Sequence, residues 1–237
     1  MLWLPCLVII SSVDVRSLAL TSTLSVLEHP LKNSDDPTIT NKETTTPTFA
    51  VIKLQIHTPR WHNVPIILKA GKALNERKAE IRIQFKDAPA AEFLFQGTKC
   101  PRNELVMRMQ PNEAVYLKTN VKSPGFHAVP IQSELEVNYD TRYFDRPPAA
   151  GGSPESSNPD AYTRLILDVY HGKHASFVRD DELRRAWEIF TPILHEIESP
   201  SYPVKPLVYP QGSRGPKEAD DFIEQHAGYI RNLDYQF

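Results

Sequence analysis

The sequence predicts an α+β fold, with one large, mostly antiparallel sheet and helices packed on one face. Three observations carry this. Five segments between Phe49 and Tyr139 alternate apolar and polar residues with the period of two that marks a half-buried strand. No crossover helix separates the last four, whose connections are short and carry KDAPA, QPNE and KSPG, so they join antiparallel neighbours. After a Pro, Gly and Ser break at 146–159 the pattern turns helical.

The chain opens with MLWLPCLVIISS, apolar but too short to span a bilayer, and with no Lys or Arg before Arg16. It reads as a poorly ordered leader, with an export signal over residues 2–10 as the alternative. Residues 28–48 are polar, Pro-punctuated and aperiodic, a linker.

The first strand is FAVIKLQIH from Phe49. AEIRIQF follows, with Ile81, Ile83 and Phe85 opposite Arg82 and Gln84. ELVMRMQ sets Leu105, Met107 and Met109 against Val106, Arg108 and Gln110, and AVYLKT sets Val115 and Leu117 against Tyr116 and Lys118. ELEVNY sets Leu135, Val137 and Tyr139 against Glu134, Glu136 and Asn138. The sheet is expected to give its apolar face to the helices and to carry Arg82, Arg108, Gln110, Tyr116, Lys118 and Glu136 on the other.

The helices start at PDAYTRLILDVYHG, with Asp160 as a cap and Gly172 as a stop. In RDDELRRAWEIFTPILHEIE, apolar residues recur from Leu183 to Ile197 around a bend expected at Pro192. GSRGPKEADDF places glycines and Arg214 just before a third helix opening at Pro216, a weak anion-binding signal.

A formal charge of −2 over 237 residues excludes a global attraction to nucleic acid, so any anion site is a local cluster. Two cysteines, Cys6 and Cys100, give no disulfide framework and point to an intracellular, cytoplasmic chain. No HExxH, Cys/His zinc spacing, GxSxG elbow or P-loop occurs, so no metal ligand and no catalytic residue is assigned. The basic stretch KAGKALNERKAEIRIQF is the informative one. Gly71 between Lys69 and Lys72 permits a tight turn or a close approach to a ligand, and ALNER reads as one turn of helix. Glu76 and Glu80 neutralise their neighbours if the run is merely solvated. The alternative is a phosphate cradle, in which Arg supplies a planar fork, Lys a point charge, and Tyr116 a ring that stacks.

RWHNVPIILKAGKALNERKAEIRIQFKD, RNELVMRMQPNEAVYLK, PDAYTRLILDVYHG, FVRDDELRRAWEIFTPILHEIE and YPQGSRGPKEADDF occur in this order. Together they resemble glucose-6-phosphate dehydrogenase, over about residues 45–228 and over its carboxyl-terminal half only. The resemblance implies a domain at 45–237 whose sheet pairs two copies or pairs with a full-length subunit, preceded by an unmatched, disordered stretch at 1–44. It implies that Lys72 and Arg77 contact the phosphate of glucose 6-phosphate. It also implies a structural NADP held by Lys69, Lys78, Arg82, Arg108, Gln110, Tyr116, Lys118, Glu136 and Arg214; the family's aromatic stacking partners fall near Tyr229 and Phe237 and are not assigned to a residue. The family oxidises glucose 6-phosphate to a lactone at the head of the pentose phosphate pathway. Its GxxGDLAKK coenzyme loop and RIDHYLGKE catalytic segment are nowhere in these 237 residues. The chain alone is therefore expected not to turn over, and a non-catalytic module binding NADP or sugar phosphate, or dimerising, is the second reading. Neither nucleic acid nor a membrane is expected as a partner.

Overall fold

The computed structural model describes residues 5–10, 48–89, 91–95, 100–122, 124–126, 130–144, 159–199 and 207–231. Most of the linker at 28–48, the loop at 146–158, and Phe237 lie outside the described residues.

Seven strands form one sheet: β1 (Pro5–Ile10), β2 (Phe49–Gln55), β3 (Pro65–Gly71), β4 (Ala79–Phe85), β5 (Glu104–Gln110), β6 (Ala114–Val121) and β7 (Ile131–Asn138). Their order is β2-β3-β1-β4-β5-β6-β7. Every neighbouring pair is antiparallel except β1 with β3. The helices are α1 (Ala91–Leu94), α2 (Ala161–Tyr170), α3 (Asp180–Glu198) and α4 (Lys217–Ala227). The fold is the α+β class that the alternation predicts.

Three local expectations change. Pro5–Ile10, read as leader, is a strand inside the sheet. Pro65–Gly71, in which four apolar residues run together before Lys69, is a strand with both neighbours paired, and continuous apolar runs of this kind carry no period to read. ALNER forms no helical turn; it is an irregular connection between β3 and β4.

Register assigns the faces. On one face lie Phe49 and Val51 of β2, Ile67 and Lys69 of β3, then Glu80, Arg82 and Gln84, Glu104, Val106 and Arg108, and Tyr116 and Lys118. α4 packs on this face, where Ala219, Phe222, Ile223 and Ala227 join Phe49, Val51, Ile67 and Tyr209 in the main core. The polar row thus shares its face with a helix, α4, where the expectation left that face clear of helices. The reason is positional. α4 covers β2 and β3, whose residues there are apolar, and leaves the polar residues of β4–β6 beside it. The opposite face buries Leu54, Val64 and Ile66, with Phe190 of α3 and Trp61 packed against them. Farther along that face, Val121, Ile131, Leu135, Val137 and Tyr139 are exposed, Leu135 to 66%.

The helix ends follow the sequence. The Asp160 carboxylate accepts from the Tyr162 N–H at 3.0 Å, capping α2. α3 begins with Asp180, Asp181 and Glu182 at its positive end and contains Pro192. α4 stops at Gly228 in the left-handed conformation, φ 66°.

Candidate functional site: two sets of cations

The connection from Lys72 to Lys78 is fixed by its backbone. The Lys72 N–H donates to Thr48 O at 2.8 Å, Asn75 N–H to Ser213 O at 2.9 Å, and Gly212 N–H to Ala73 O at 2.8 Å. Tyr209, almost wholly buried, donates its hydroxyl to Lys72 O at 2.9 Å. Gly71 has a packing role: a Cβ there would lie 2.7 Å from the Phe49 ring and 2.8 Å from Leu74. Gly215, at φ +102°, would drive a Cβ into the same ring. The segments GKALNER and GSRGP therefore close on one aromatic side chain and on each other.

On this pinned connection Lys72 and Arg77 are exposed. Neither has a carboxylate or hydrogen-bond partner for its side chain among the described residues. Lys78, next in sequence, differs: its ammonium lies 2.9 Å from Glu76 and 3.5 Å from Glu80. Lys78 is neutralised by these carboxylates, whereas Lys72 and Arg77 stand in solvent.

The cations on the sheet are engaged. Arg82 donates to Glu104 Oε2 at 2.6 Å and to Glu80 Oε1 at 3.2 Å. Glu104, 2% exposed, also accepts from the Gln84 amide at 2.9 Å. Burial disfavours the guanidinium charge, but the facing carboxylates of Glu104 and Glu80 outweigh it and hold Arg82 firmly protonated. Burial likewise works against the Glu80 carboxylate, yet Arg82 and Lys78 leave it below its ordinary value. Lys118 is buried 3.7 Å from Glu134, and burial, with Arg82 nearby, pulls its pKa down. Arg108 and Lys118 both approach the Tyr116 ring, at 5.8 and 5.9 Å from its centroid. Arg108 Nε is buried without a hydrogen-bond partner among the described residues. Gln110 and Glu136 are exposed at strand ends and edge. At the α4 side, Lys69 lies 3.4 Å from Asp220, which Arg214 and Arg231 also approach at 4.0 Å. Burial lowers the Lys69 pKa against the pull of Asp220.

The chain after α4 lies over the polar row. Gln84 exchanges two hydrogen bonds with Ile230, donating to its carbonyl at 2.7 Å and accepting from its N–H at 3.0 Å. Arg102 donates to Gly228 O at 2.6 Å, and Tyr229 packs against the α4 core with a raised pKa caused by burial and by Glu104. Sequence reading missed Glu104, Gln84, Asp220 and Tyr209. For Glu104 and Gln84 the signal was present, since both fall on the Arg82 face by the same alternation. For Asp220 and Tyr209 none was, because their partners lie 137–161 residues away. Among the described residues no group of His, Cys, Asp and Glu is placed to hold a metal ion.

Comparison with known proteins follows the same outline. Residues 26–231 match the family described as glucose-6-phosphate dehydrogenase, C-terminal domain. The match reaches further back than the five sequence blocks do. The potato glucose-6-phosphate 1-dehydrogenase, cytoplasmic isoform, is 51% identical over 201 residues, covering 85% of this chain and 36% of the relative. The Drosophila melanogaster glucose-6-phosphate 1-dehydrogenase is 50% identical over 192 residues, 81% of this chain and 34% of its own length. A solved glucose-6-phosphate dehydrogenase in complex with its substrate glucose 6-phosphate superposes with a TM-score of 0.67 at 39% identity, covering 90% of this chain and 40% of that one. The Mycobacterium avium enzyme superposes equally well at 22% identity, which supports the fold alone. The chain thus spans about a third of the length of the curated relatives it matches.

These findings correct the cofactor expectation. The match covers the carboxyl-terminal domain and not the coenzyme-binding one, so NADP as a cofactor of this chain is inconsistent with its extent. The polar row agrees. Arg82, Lys78, Lys118 and Lys69 are already paired with carboxylates, and Tyr229 and Ile230 lie across Glu104 and Gln84. By its family match and its fold, the chain belongs to the glucose-6-phosphate dehydrogenase family, as the carboxyl-terminal domain.

Proposed function

We propose that the chain is the sugar-phosphate-holding part of a glucose-6-phosphate dehydrogenase, with Lys72 and Arg77 as the phosphate ligands. One observation carries this: of the cations in the basic stretch, these two are exposed and uncommitted on a connection whose backbone is fixed from three sides. Arg77 offers a fork for two phosphate oxygens and Lys72 a point charge. Holding the phosphate there fixes the far end of the sugar, so that its C1 hydroxyl is presented to whatever removes the hydride and proton. The chain contributes position rather than chemistry, because the RIDHYLGKE segment that carries the family's catalytic histidine is not in its sequence. In the complete dehydrogenase the product would be the lactone of 6-phosphogluconate. We place the protein in the cytoplasm, as the names of the potato and Arabidopsis relatives state for those proteins.

The exposed apolar residues of β6 and β7 support the second reading, a dimerisation module. Val121, Ile131, Leu135 and Val137 form one patch on the sheet, and such patches mark protein contacts. The partner is a second copy or a full-length subunit. Leu135→Glu should then convert a dimer to a monomer in sedimentation.

Thermal melting with added ligand tests the main reading. Glucose 6-phosphate should raise Tm in a saturable way, by mass action, and glucose should not. Lys72→Ala and Arg77→Ala should each remove the shift. An unchanged Tm at saturating sugar phosphate, or a shift that survives both substitutions, overturns the assignment.

A further inference from the structure

We propose that the sheet contains a strand-acceptor slot between β3 and β4, which binds an extended apolar peptide and which this chain fills with its own Pro5–Ile10. The proposal does not rest on the sugar-phosphate reading.

The slot is visible in the topology. β3 and β4 are consecutive in the family-matched region, yet they are not neighbours, because β1 lies between them. β1 runs parallel to β3, with Val8, Ile9 and Ile10 opposite Ile66, Ile67 and Leu68. It runs antiparallel to β4, with the same three residues opposite Ile83, Arg82 and Ile81. β3 and β4 are therefore antiparallel edges held two strand spacings apart, about 9.5 Å.

What holds them apart is not β1. A direct hairpin needs two to five residues, whereas Lys72 to Lys78 takes seven. That connection is tied outward to Thr48, Tyr209, Ser213 and Gly212 by the bonds described above. The edges are kept open from outside the slot. Each presents a row of backbone N–H and C=O groups that a strand must satisfy, the condition for β-augmentation.

The occupant comes from outside the family match, which begins at residue 26. Its sequence, PCLVII, is apolar and rich in β-branched residues, with a proline only at its first position, where a strand tolerates one. Main-chain pairing supplies the affinity, and the apolar Ile66, Ile67, Leu68, Ile81 and Ile83 on the two edges favour an apolar segment, so the slot accepts an extended apolar strand parallel to β3.

A cross-link and an exchange measurement test this in the full chain. With Cys6 and Cys100 replaced by Ser, Val8→Cys and Ile83→Cys are introduced as a directly opposed antiparallel pair, about 4.5–5.5 Å apart at Cβ. Mild oxidation should join positions 8 and 83, while Val8→Cys with Leu105→Cys, one strand farther away, should stay reduced. Failure of the first pair overturns the proposal. Separately, Val8→Pro removes a ladder donor from β1. Amide exchange at Ile66–Leu68 and at Ile81–Ile83 should then speed up by about tenfold or more, while β5 and β6 stay protected. Synthetic PCLVII should restore the protection, and the same peptide with proline at its fourth position should not. Unchanged exchange in Val8→Pro, or no restoration by the peptide, contradicts the slot.

Discussion

The cations of the sheet and those of the β3–β4 connection have similar chemistry and opposite circumstances. Arg82 is half-buried against Glu104 and Glu80 and shares its carboxylates with Gln84 and Tyr229. Lys72 and Arg77, ten and five residues earlier, stand in solvent on a rigid connection, with no carboxylate partner among the described residues. The difference teaches that a basic run is not one feature. Positive charge facing a strand neighbour's carboxylate becomes architecture, and positive charge left on a pinned connection stays available to a ligand.

The sharpest way to break this contrast is to remove the architectural cation. Arg82→Ala leaves Glu104 buried without its principal counter-charge and should cost about 3–5 kcal/mol in urea unfolding. Next comes Gly215→Ala, which forces a left-handed backbone and a Cβ into Phe49. It should cost about 1–3 kcal/mol and loosen the β3–β4 connection. Tyr209→Phe removes the hydroxyl that reaches Lys72 O, Thr48 O and Thr48 Oγ1. About 1 kcal/mol is expected, with weaker sugar-phosphate binding as the more informative readout.

Acid provides a graded version of the first test. The folded-state pKa of Glu80 lies below its ordinary 4.5, so its contribution is complete above that value and is lost as pH falls through the lowered one. The parent chain should lose stability below pH 4.5 more steeply than Glu80→Gln. The smallest effect on stability should come from Lys72→Ala and Arg77→Ala, within about 0.5 kcal/mol of the parent, although both should abolish sugar-phosphate binding.

Alternation made most of this sheet legible. It placed Arg82, Arg108, Tyr116 and Lys118 on one face, where the register puts them. It did not show that the face was closed, because Glu104 and Gln84 are informative only once β4 and β5 are paired. β3 was hidden by its run of apolar residues, and β1 by its resemblance to a leader. The GKALNER motif singled out Lys72 and Arg77, but their availability depends on Ser213, Gly212 and Tyr209, which no local pattern connects to them.

The most direct measurement follows side-chain nitrogen resonances of lysine and arginine in the full chain during titration with glucose 6-phosphate. The Lys72 and Arg77 signals should move saturably with one dissociation constant while Arg82 and Lys118 stay fixed. Movement of Arg82 or Lys118 with Lys72 and Arg77 unaffected would contradict the division between structural and ligand-binding cations.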